Sequence, residues 1–495
     1  MLRIHQPPAG EGCDAFFQVT IAGERAYPWF CRVSAMPYNT PWPGRQRPLD
    51  QTEEASFLSF EMDAPVEMTL LASRDFSECT VRPLSRGIQP RVQGREIRLE
   101  IAQCGHYTVE LDGWHHALHI FANPLTDFGV DKSAANVRYL APGVHEGDLE
   151  LRDGETLFLE GGAVLYGSVT AIHKKNVRIV GYGVIDGSRE VRTDETPLLP
   201  WNLEGTEDLR DEATLRRHLS EKRVLKGCVR LYSCENCQVA GVITRDSATF
   251  SMIFADCARI DCEWAKTIGM WRYNSDGIDL FNSHHVRVAN CFLRDFDDCV
   301  VLKAIKGWDV VNVHHVTVTG CTVWCDWARC LEVGEETCAD EYYDILWEDC
   351  DLIHGSFIFL EIRDGDRAWV HDMLVRNIRC ECSPYDLPPV FQSDMNAPYP
   401  GFGKSYQPEL IVSHVQDGPW SNDHILGKVT DVRFENIFVS CSADAPMPRS
   451  RLTGAAEGHG ASRLTIDGVF RNGTRLRPRE IPLEKSEFDR DIQVK

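Results

Sequence analysis

A short apolar motif repeats along most of the chain, and it constrains the fold more than any other feature. The motif has two apolar residues separated by one position, followed by Asn, Gly or Asp and often by Cys. Its second apolar residue recurs at steps of 21 to 32 residues, with two double steps of 59 and 60 that contain insertions. Self-similarity at such a period is typical of solenoids. The anchor positions are Ile179, Val239, Ile260, Val288, Val318, Trp347, Val375, Phe434 and Ile466.

The residues inside the repeat indicate the type of solenoid. Leucine-rich repeats are excluded because their L-x-x-L-x-L-x-x-N signature does not occur, and helical repeats because the apolar runs are short and β-branched. A parallel β-helix remains, in which each coil contributes two or three strands and stacked coils pair their backbones at about 4.8 Å.

The chain before the repeat has a different pattern, in which short strands alternate with clusters of Pro and Gly. This spacing predicts an antiparallel β-sandwich. We therefore expect an all-β chain with a smaller sandwich domain at 1–136, a β-helix domain at 137–475 and a C-terminal tail at 476–495.

Two insertions interrupt the repeat. Residues Thr206 to Val224 have a helical pattern with Thr206 as the N-cap, and Ser383 to about Asp423 form a long loop rich in Pro, Tyr and Asp. Long insertions on a solenoid usually line its groove, so we expect these segments to wall a groove on the β-helix.

The composition narrows the classes of partner. A net charge of −22 disfavours nucleic acids and other polyanions, polyuronates included. No apolar run approaches the roughly 18 residues that span a bilayer, and no secretory leader is visible, so we expect no membrane partner.

The cysteines point to a compartment. Their number, 19, is odd, and many lie in apolar strand-like runs where a thiol packs as a small hydrophobe. We therefore expect a reducing, cytoplasmic location, although trimming of a leader would leave secretion open. Zinc is disfavoured, because Cys234 and Cys237 form a lone CxxC without a second pair.

A group of carboxylates stands out within the repeat. Asp276 precedes Asp297 and Asp298 by 21 and 22 residues, about one coil, so the three should lie on neighbouring coils. Adjacent residues on a flat strand point to opposite faces, so Asp297 and Asp298 can share a groove only at a bend of the chain. Arg329 follows about one coil later, and Glu361 with Arg363 about one coil after that. The charged positions therefore predict a stripe along the solenoid.

Clustered carboxylates can act as an acid and a base at the same pH. Repulsion between like charges a few ångströms apart keeps one of them protonated while the others are ionised. Glycoside hydrolysis needs such a pair, a carboxyl that protonates the leaving oxygen and a carboxylate that activates water. Two other interpretations stay open. Any single Asp could cap a solenoid turn, and the cluster could bind calcium.

These residues resemble a known family. Asn274-Ser-Asp276 followed by Asp297-Asp-Cys-Val-Val301 is similar to the Asn-Thr-Asp and Asp-Asp-Cys signatures of glycoside hydrolase family 28, the polygalacturonases, and of the related family 49 dextranases. The segments 137–145, 161–168 and 181–187 are similar to the family's opening coils.

The resemblance implies a right-handed parallel β-helix and an inverting hydrolase without metal or cofactor. By position, Asp297 corresponds to the general acid, and Asp276 and Asp298 to the residues that activate water. A sandwich before the β-helix is similar to the dextranase branch and to some exo-acting polygalacturonases.

Two departures from the family concern the substrate. Where polygalacturonases have Gly-His-Gly, this chain has Ala328-Arg329-Cys330, and their Arg-Ile-Lys is replaced by Glu361-Ile362-Arg363. A Glu at this place would repel a uronate, so we expect a neutral oligosaccharide or polysaccharide. The predicted substrate-binding residues are Arg329, Glu361, Arg363, Asn274, Trp271, Trp327 and Lys303, the two Trp as platforms for sugar rings.

Competing functions remain at the level of sequence. They are a polygalacturonase acting on oligogalacturonides, a β-helix polysaccharide lyase, and a non-catalytic glycan-binding solenoid. A lyase needs a strong cation and a basic groove, which the acidic stripe does not favour. Sugar identity, linkage and oligomeric state are not predicted. We expect cleavage at chain ends, since the inserts would close the groove.

Overall fold

The computed structural model describes residues 1–35, 38–39, 46–192, 207–221, 226–386, 390–391 and 406–495. It is almost entirely β-structure, and the predicted fold class, a parallel β-helix preceded by an antiparallel sandwich, is confirmed. No helix in these ranges is long and apolar enough to cross a membrane.

The N-terminal strands form two sheets. Except for β6 and β12, which are parallel, the strands pair antiparallel, and apolar side chains fill the space between the sheets. The first sheet contains β1 (Leu2–Ile4), β4 (Trp29–Ser34), β6 (Thr52–Met62), β8 (Cys79–Arg82), β11 (Gly105–Leu111) and β12 (Leu118–Pro124). The second contains β2 (Phe17–Ile21), β3 (Glu24–Ala26), β7 (Val66–Ala72), β9 (Arg91–Gln93) and β10 (Glu96–Ile101). A short strand β5 (Tyr38–Asn39) pairs with β39 (Val390–Phe391).

The remaining strands wind into coils whose strands pair in parallel with the equivalent strand of the next coil. We name the three resulting faces A, B and C in the order in which each coil visits them. Face A contains β13 (Val137–Leu140), β16 (Thr156–Leu159), β19 (Arg178–Gly181), β22 (Glu235–Ala240), β25 (Ala258–Glu263), β28 (His284–Ala289), β31 (Val313–Thr319), β34 (Glu341–Glu348), β37 (Trp369–Val370), β41 (Lys428–Thr430) and β47 (Arg490–Val494). Face B contains β14 (Gly143–Glu146), β17 (Ala163–Tyr166), β20 (Val184–Asp186), β23 (Ile243–Arg245), β26 (Lys266–Ile268), β29 (Phe292–Asp295), β32 (Thr322–Cys325) and β35 (Asp351–His354).

Longer strands continue from face A to face B in the last coils. They are β38 (Met373–Glu381), β42 (Val432–Ser440) and β44 (Ala461–Arg471), the last followed by β45 (Thr474–Arg475). Face C contains β15 (Leu149–Glu150), β18 (Val169–Ile172), β21 (Val229–Tyr232), β24 (Met252–Ala255), β27 (Ile278–Phe281), β30 (Val300–Ala304), β33 (Arg329–Thr337), β36 (Ile358–Asp364), β40 (Glu409–Val415), β43 (Ser450–Thr453) and β46 (Leu483–Lys485). The residues predicted to form a tail thus contain two strands, β46 and β47, which pair with the preceding coil.

The repeat motif marks the bend from face A to face B. At this corner one residue per coil has a positive φ, which Gly, Asn and Asp tolerate best. These residues are Gly241, Trp264, Asn290, Gly320, Asp349, Asn377, Asn436 and Gly468. The polar residue after each apolar pair is therefore a corner.

The predicted anchors pair across coils with one exception. Val239 aligns with Cys262 and not with Ile260, and Cys262 in turn aligns with Val288. The prediction was wrong by two residues here because a cysteine occupies the apolar anchor position. Cys262 is buried, and all 19 cysteines are free thiols, most of them in the core of the β-helix.

The helical insertion is shorter than predicted. Helix α1 (Glu212–Glu221) begins after Asp211, whose carboxylate accepts a hydrogen bond from the Thr214 amide (2.8 Å), so Asp211 caps the helix. The predicted N-cap, Thr206, lies outside the described residues. Leu215 of this helix packs on Phe281 and Trp308 beside face C.

The sandwich packs on face B. Trp29, Phe57 and Phe121 of the sandwich share one buried apolar cluster with Phe292 and Trp324 of the β-helix. Because the sandwich covers face B, the edge of the β-helix next to the sandwich is the corner between faces B and C.

A buried polar network also joins the two parts. Arg82 donates to Glu110 (3.0 Å) and to Glu381 (2.6 Å), and His354 contacts Glu110 (2.6 Å) and Asp386 (2.8 Å). Although burial alone would lower the pKa of His354, Glu110 and Asp386 raise it to about 9. Arg82 and His354 likewise outweigh burial and lower the pKa of Glu110 to about 2. His354 therefore carries a positive charge at neutral pH and joins the two parts through its carboxylate partners.

We expect His354→Gln to destabilise the protein in a pH-dependent way. A raised pKa contributes stability that is fully present below the ordinary value of about 6.5 and is lost as the pH rises through about 9. The thermal midpoint of the variant should therefore lie well below that of the native protein at pH 6.5, and the gap should narrow by pH 9.5. The control is His145→Gln, whose imidazole contacts a backbone carbonyl. An equal gap at both pH values would contradict the assignment.

Candidate active site

Three aspartates meet at the corner between faces B and C. Asp276 lies just before β27, and Asp297 and Asp298 lie just before β30 in the next coil. The Gly277 amide donates to the Asp298 carbonyl (2.8 Å), and Ile278 aligns with Val300, so Asp276 and Asp298 occupy equivalent positions on adjacent coils. All three side chains are almost fully buried. The predicted clustering of these carboxylates is present in the structure.

Lys303 holds this cluster together. Its ammonium lies 2.8 Å from Asp276 Oδ2, 3.3 Å from Asp279 Oδ1 and 3.7 Å from Asp298 Oδ2. The sequence predicted Lys303 as a substrate-binding residue, but its side chain is only 7% exposed and is engaged by carboxylates. It therefore positions the aspartates. Because its charge already lies among three carboxylates, a calcium ion there would have to displace it, which disfavours the calcium interpretation.

Arg329 provides the second cation of the site. Its Nη1 lies 3.4 Å from Asp298 Oδ1, and its Nε donates to Glu361 Oε2 at 2.7 Å. The guanidinium also lies 5.5 Å from the ring centroid of Phe357. Arg329 thus bridges a predicted catalytic aspartate and the predicted substrate-binding glutamate, one coil further on.

Arg363 lies apart from this bridge. It pairs with Glu335 at 3.1 Å, while the guanidinium of Arg329 engages Glu361. Arg363 is 21% exposed and accessible from the solvent.

Two further carboxylates escaped the sequence analysis. Asp279 aligns with Val301, Val301 with Glu332, and Glu332 with Glu361, so these residues form one ladder on the outer side of face C. Each alternates with core residues of its own strand, as expected for a half-buried strand. Aligning the strands of neighbouring coils residue by residue would identify these acids in the sequence, because each occupies the same position in its apolar strand.

The electrostatic environment separates Asp297 from Asp298. Burial, together with the charges of Asp276 and Asp298, raises the pKa of Asp297 well above its ordinary value. Burial would also raise the pKa of Asp298, but Arg329 and Lys303 outweigh it and lower that pKa. The pKa values of these two neighbouring carboxyls are therefore shifted in opposite directions, so Asp297 keeps its proton to higher pH than Asp298.

The other acids of the cluster are less easily ionised. Burial raises the pKa of Asp276 well above its ordinary value, with Asp279 and Asp298 adding to the effect and Lys303 opposing it. Burial likewise raises the pKa of Glu332, against the opposing charge of Arg329. Asp298 is consequently the more readily ionised of the two candidate bases.

Asn274 and the two predicted aromatic platforms shape the corner. Asn274 has a φ of 53°, and its carbonyl accepts a hydrogen bond from Thr249, which fixes the turn before Asp276. Trp271 is 8% exposed, and its indole N–H donates to Asp246 (3.2 Å). Trp327 is 9% exposed and stacks on Phe296. Both rings are therefore mostly buried, and their stacking on sugars stays a prediction.

The cluster contains the parts of an acid–base pair. Two adjacent carboxyls with oppositely shifted pKa values lie at the corner between faces B and C, and two cations contact Asp298. Such separated pKa values at a cleft are typical of catalytic sites.

The segment that contains this site matches a known protein family. Residues 166–323, which include all three aspartates, match the family model for glycosyl hydrolases family 28. The resemblance to that family is therefore confirmed over this segment. No curated protein sequence matches the chain.

Solved structures share the fold. Dex49A from Penicillium minioluteum is similar over 96% of this chain and 92% of its own, with a TM-score of 0.62 and 14% identity. A family 28 exopolygalacturonase from Yersinia enterocolitica is 14% identical over 87% of this chain and 96% of its own, with a TM-score of 0.47. The likeness to Dex49A extends over both the sandwich and the β-helix.

Proposed function

We propose that this chain is a glycoside hydrolase of the family 28 type, a class that acts on polysaccharides, and that it hydrolyses a neutral glycan with inversion at the anomeric carbon. The observation that carries the proposal is the opposite shift of the pKa values of Asp297 and Asp298. An inverting glycosidase needs one carboxyl protonated and another ionised in the same cleft.

In the proposed reaction Asp297 donates its proton to the glycosidic oxygen as the bond to the anomeric carbon breaks. Asp298 accepts a proton from a water molecule, whose oxygen forms the new bond from the opposite side of the sugar. Lys303 and Arg329 keep Asp298 ionised, and Asp276, held by Lys303 at 2.8 Å, assists in orienting the water. The two carboxyls exchange their protonation states in one turnover and are restored by the solvent.

We expect Asp297→Asn to lower kcat about 10³-fold, since an amide cannot donate a proton to the leaving oxygen. The matched control is Asp295→Asn. Asp295 lies two residues away, is buried and accepts from the Thr267 hydroxyl (2.8 Å). Burial raises its pKa well above the ordinary value, so it matches Asp297 in burial and in the direction of its pKa shift.

The experiment measures reducing ends released from the neutral oligosaccharide that the native protein cleaves fastest, with thermal midpoints to verify folding. Asp295→Asn should stay within a few-fold of the native rate. Activity of Asp297→Asn within tenfold of the native protein would remove Asp297 from the acid role.

The proposed preference for a neutral sugar depends on the groups that the two guanidinium cations already bind. Arg329 is bound by Glu361 and Asp298, and Arg363 by Glu335, so both guanidinium groups already have carboxylate partners. A uronate would have to displace one of these partners and would face the charge of Glu361. Leaving a buried carboxylate poorly paired costs about 2–5 kcal/mol. Sugar hydroxyls can donate to Glu361 without this cost.

We therefore expect oligogalacturonides to be poor substrates and neutral oligosaccharides good ones. Glu361→Gln should lower kcat/KM for the neutral substrate and raise the rate on the uronate relative to it, because Arg329 loses one of its two carboxylate partners and Asp298 remains. The control is Glu335→Gln, which frees Arg363 instead and should leave the ratio closer to native. Efficient hydrolysis of digalacturonate by the native protein would overturn the preference.

Two further features belong to the proposal. Helix α1 packs beside face C near the site, and we propose that the insertions restrict the groove and favour cleavage at chain ends. The free and mostly buried thiols suit a reducing compartment, which supports a cytoplasmic enzyme that acts on imported oligosaccharides.

A further inference from the structure

Two pairs of adjacent histidines lie at the corner between faces C and A, away from the carboxylates. His284 and His285 begin β28, and His314 and His315 lie near the start of β31, one coil later. His284 aligns directly with His314 in the parallel ladder. The coil period therefore brings two His-His dipeptides, 30 residues apart in sequence, into contact.

The backbone turns both rings of each pair to the same side. Adjacent residues on a regular strand point to opposite faces, but His285 and His315 have φ values of 55° and 53°, which bend the chain at each pair. As a result the Nδ1 atoms of His284 and His285 lie 2.9 Å apart, and those of His314 and His315 lie 2.7 Å apart. The rings also stack between coils, at centroid distances of 4.7 Å for His284 on His314 and 4.4 Å for His285 on His315.

The arrangement brings together nitrogen atoms suited to a metal ion. His284, His285 and His314 each offer a ring nitrogen, and these three atoms lie within 4.8 Å of one another. Nitrogens that bind one tetrahedral Zn²⁺ at 2.0–2.1 Å are about 3.3 Å apart, so modest ring rotations would bring the three into place. His315 contacts His314 (2.7 Å) beside this group of three.

From this geometry we propose a binding site for a divalent first-row transition metal such as Zn²⁺, formed by His284, His285 and His314. Imidazole nitrogen is a preferred ligand for Zn²⁺, Cu²⁺ and Ni²⁺, whereas calcium and magnesium prefer oxygen. His285 is exposed and the other two are half-buried, so an ion can reach the cluster from solvent.

The surroundings of the cluster also suit a metal. Asp344 lies 3.3 Å from the Nε2 of His315 and adds a negative charge next to the cluster. Tyr343 stacks on His314 at 4.8 Å and limits the motion of that ring. The bound ion would cross-link two neighbouring coils, and its expected effect is on stability, since the aspartates of the cleft lie at a different corner.

The test titrates ZnCl₂ into the full chain, purified without a histidine tag, by calorimetry and follows the thermal midpoint. We expect one Zn²⁺ per chain and a higher midpoint in its presence, because an ion that binds only the folded state stabilises it. His285→Asn and His314→Asn should each weaken binding at least tenfold. Asn tolerates the positive φ at position 285, so the first variant removes the ring with little change in the backbone.

The matched control is His371→Gln, since His371 stacks on Tyr343 in the same row of rings without belonging to the cluster. It should bind Zn²⁺ with native affinity. No binding by the native protein would overturn the proposal and leave the cluster as hydrogen-bonded imidazoles. Equal binding by native protein and both cluster variants would also overturn it. A thiolate charge-transfer band in the Co²⁺-loaded protein would assign the metal to cysteine and have the same consequence.

Discussion

The hydrogen-bonded stacking of one coil on the next is the constraint on which the whole structure depends. Residues one coil apart in sequence become neighbours, as Ile278 and Val300 do, and this holds along face C to Leu331 and Leu360. An isolated Asp in such a sequence carries little information, but an Asp at the same place in successive coils lies against its equivalent. The acidic cleft and the histidine cluster both arise in this way, at different corners.

The stacking concentrates more negative charge than a buried site tolerates, so the two cations decide how the protons are distributed. Lys303 contacts Asp276, Asp279 and Asp298, and Arg329 contacts Asp298 and Glu361. Of the acids in the described part of the chain, only Asp298 forms ion pairs with both cations. Its pKa is therefore lowered, while the pKa of Asp297, its neighbour in sequence, is raised. The same ion pairs occupy the guanidinium groups that a uronate substrate would need. The distribution of protons and the proposed preference for a neutral substrate therefore depend on the same contacts.

The sequence predicted the fold and the aspartate cluster because both depend on period and residue type. It failed where a side chain's role depends on its partner. Lys303 could be placed near the cleft from the sequence, but its burial among carboxylates follows only from the pairing of β27 with β30. The burial of the Trp271 and Trp327 rings likewise depends on local packing. Glu332 was missed because its place on the Glu361 ladder appears only once the register is known.

In the proposed reaction water attacks the anomeric carbon directly, with Asp297 as the acid and Asp298 as the base. The anomeric form of the first product tests this mechanism most directly. Proton NMR during the first minutes of hydrolysis, before mutarotation, reports whether the new reducing end has the same or the opposite configuration as the bond cleaved. We expect the new reducing end to have the opposite configuration. A product of retained configuration would mean a covalent glycosyl intermediate, and would contradict the assignment of Asp298 as a base that activates water.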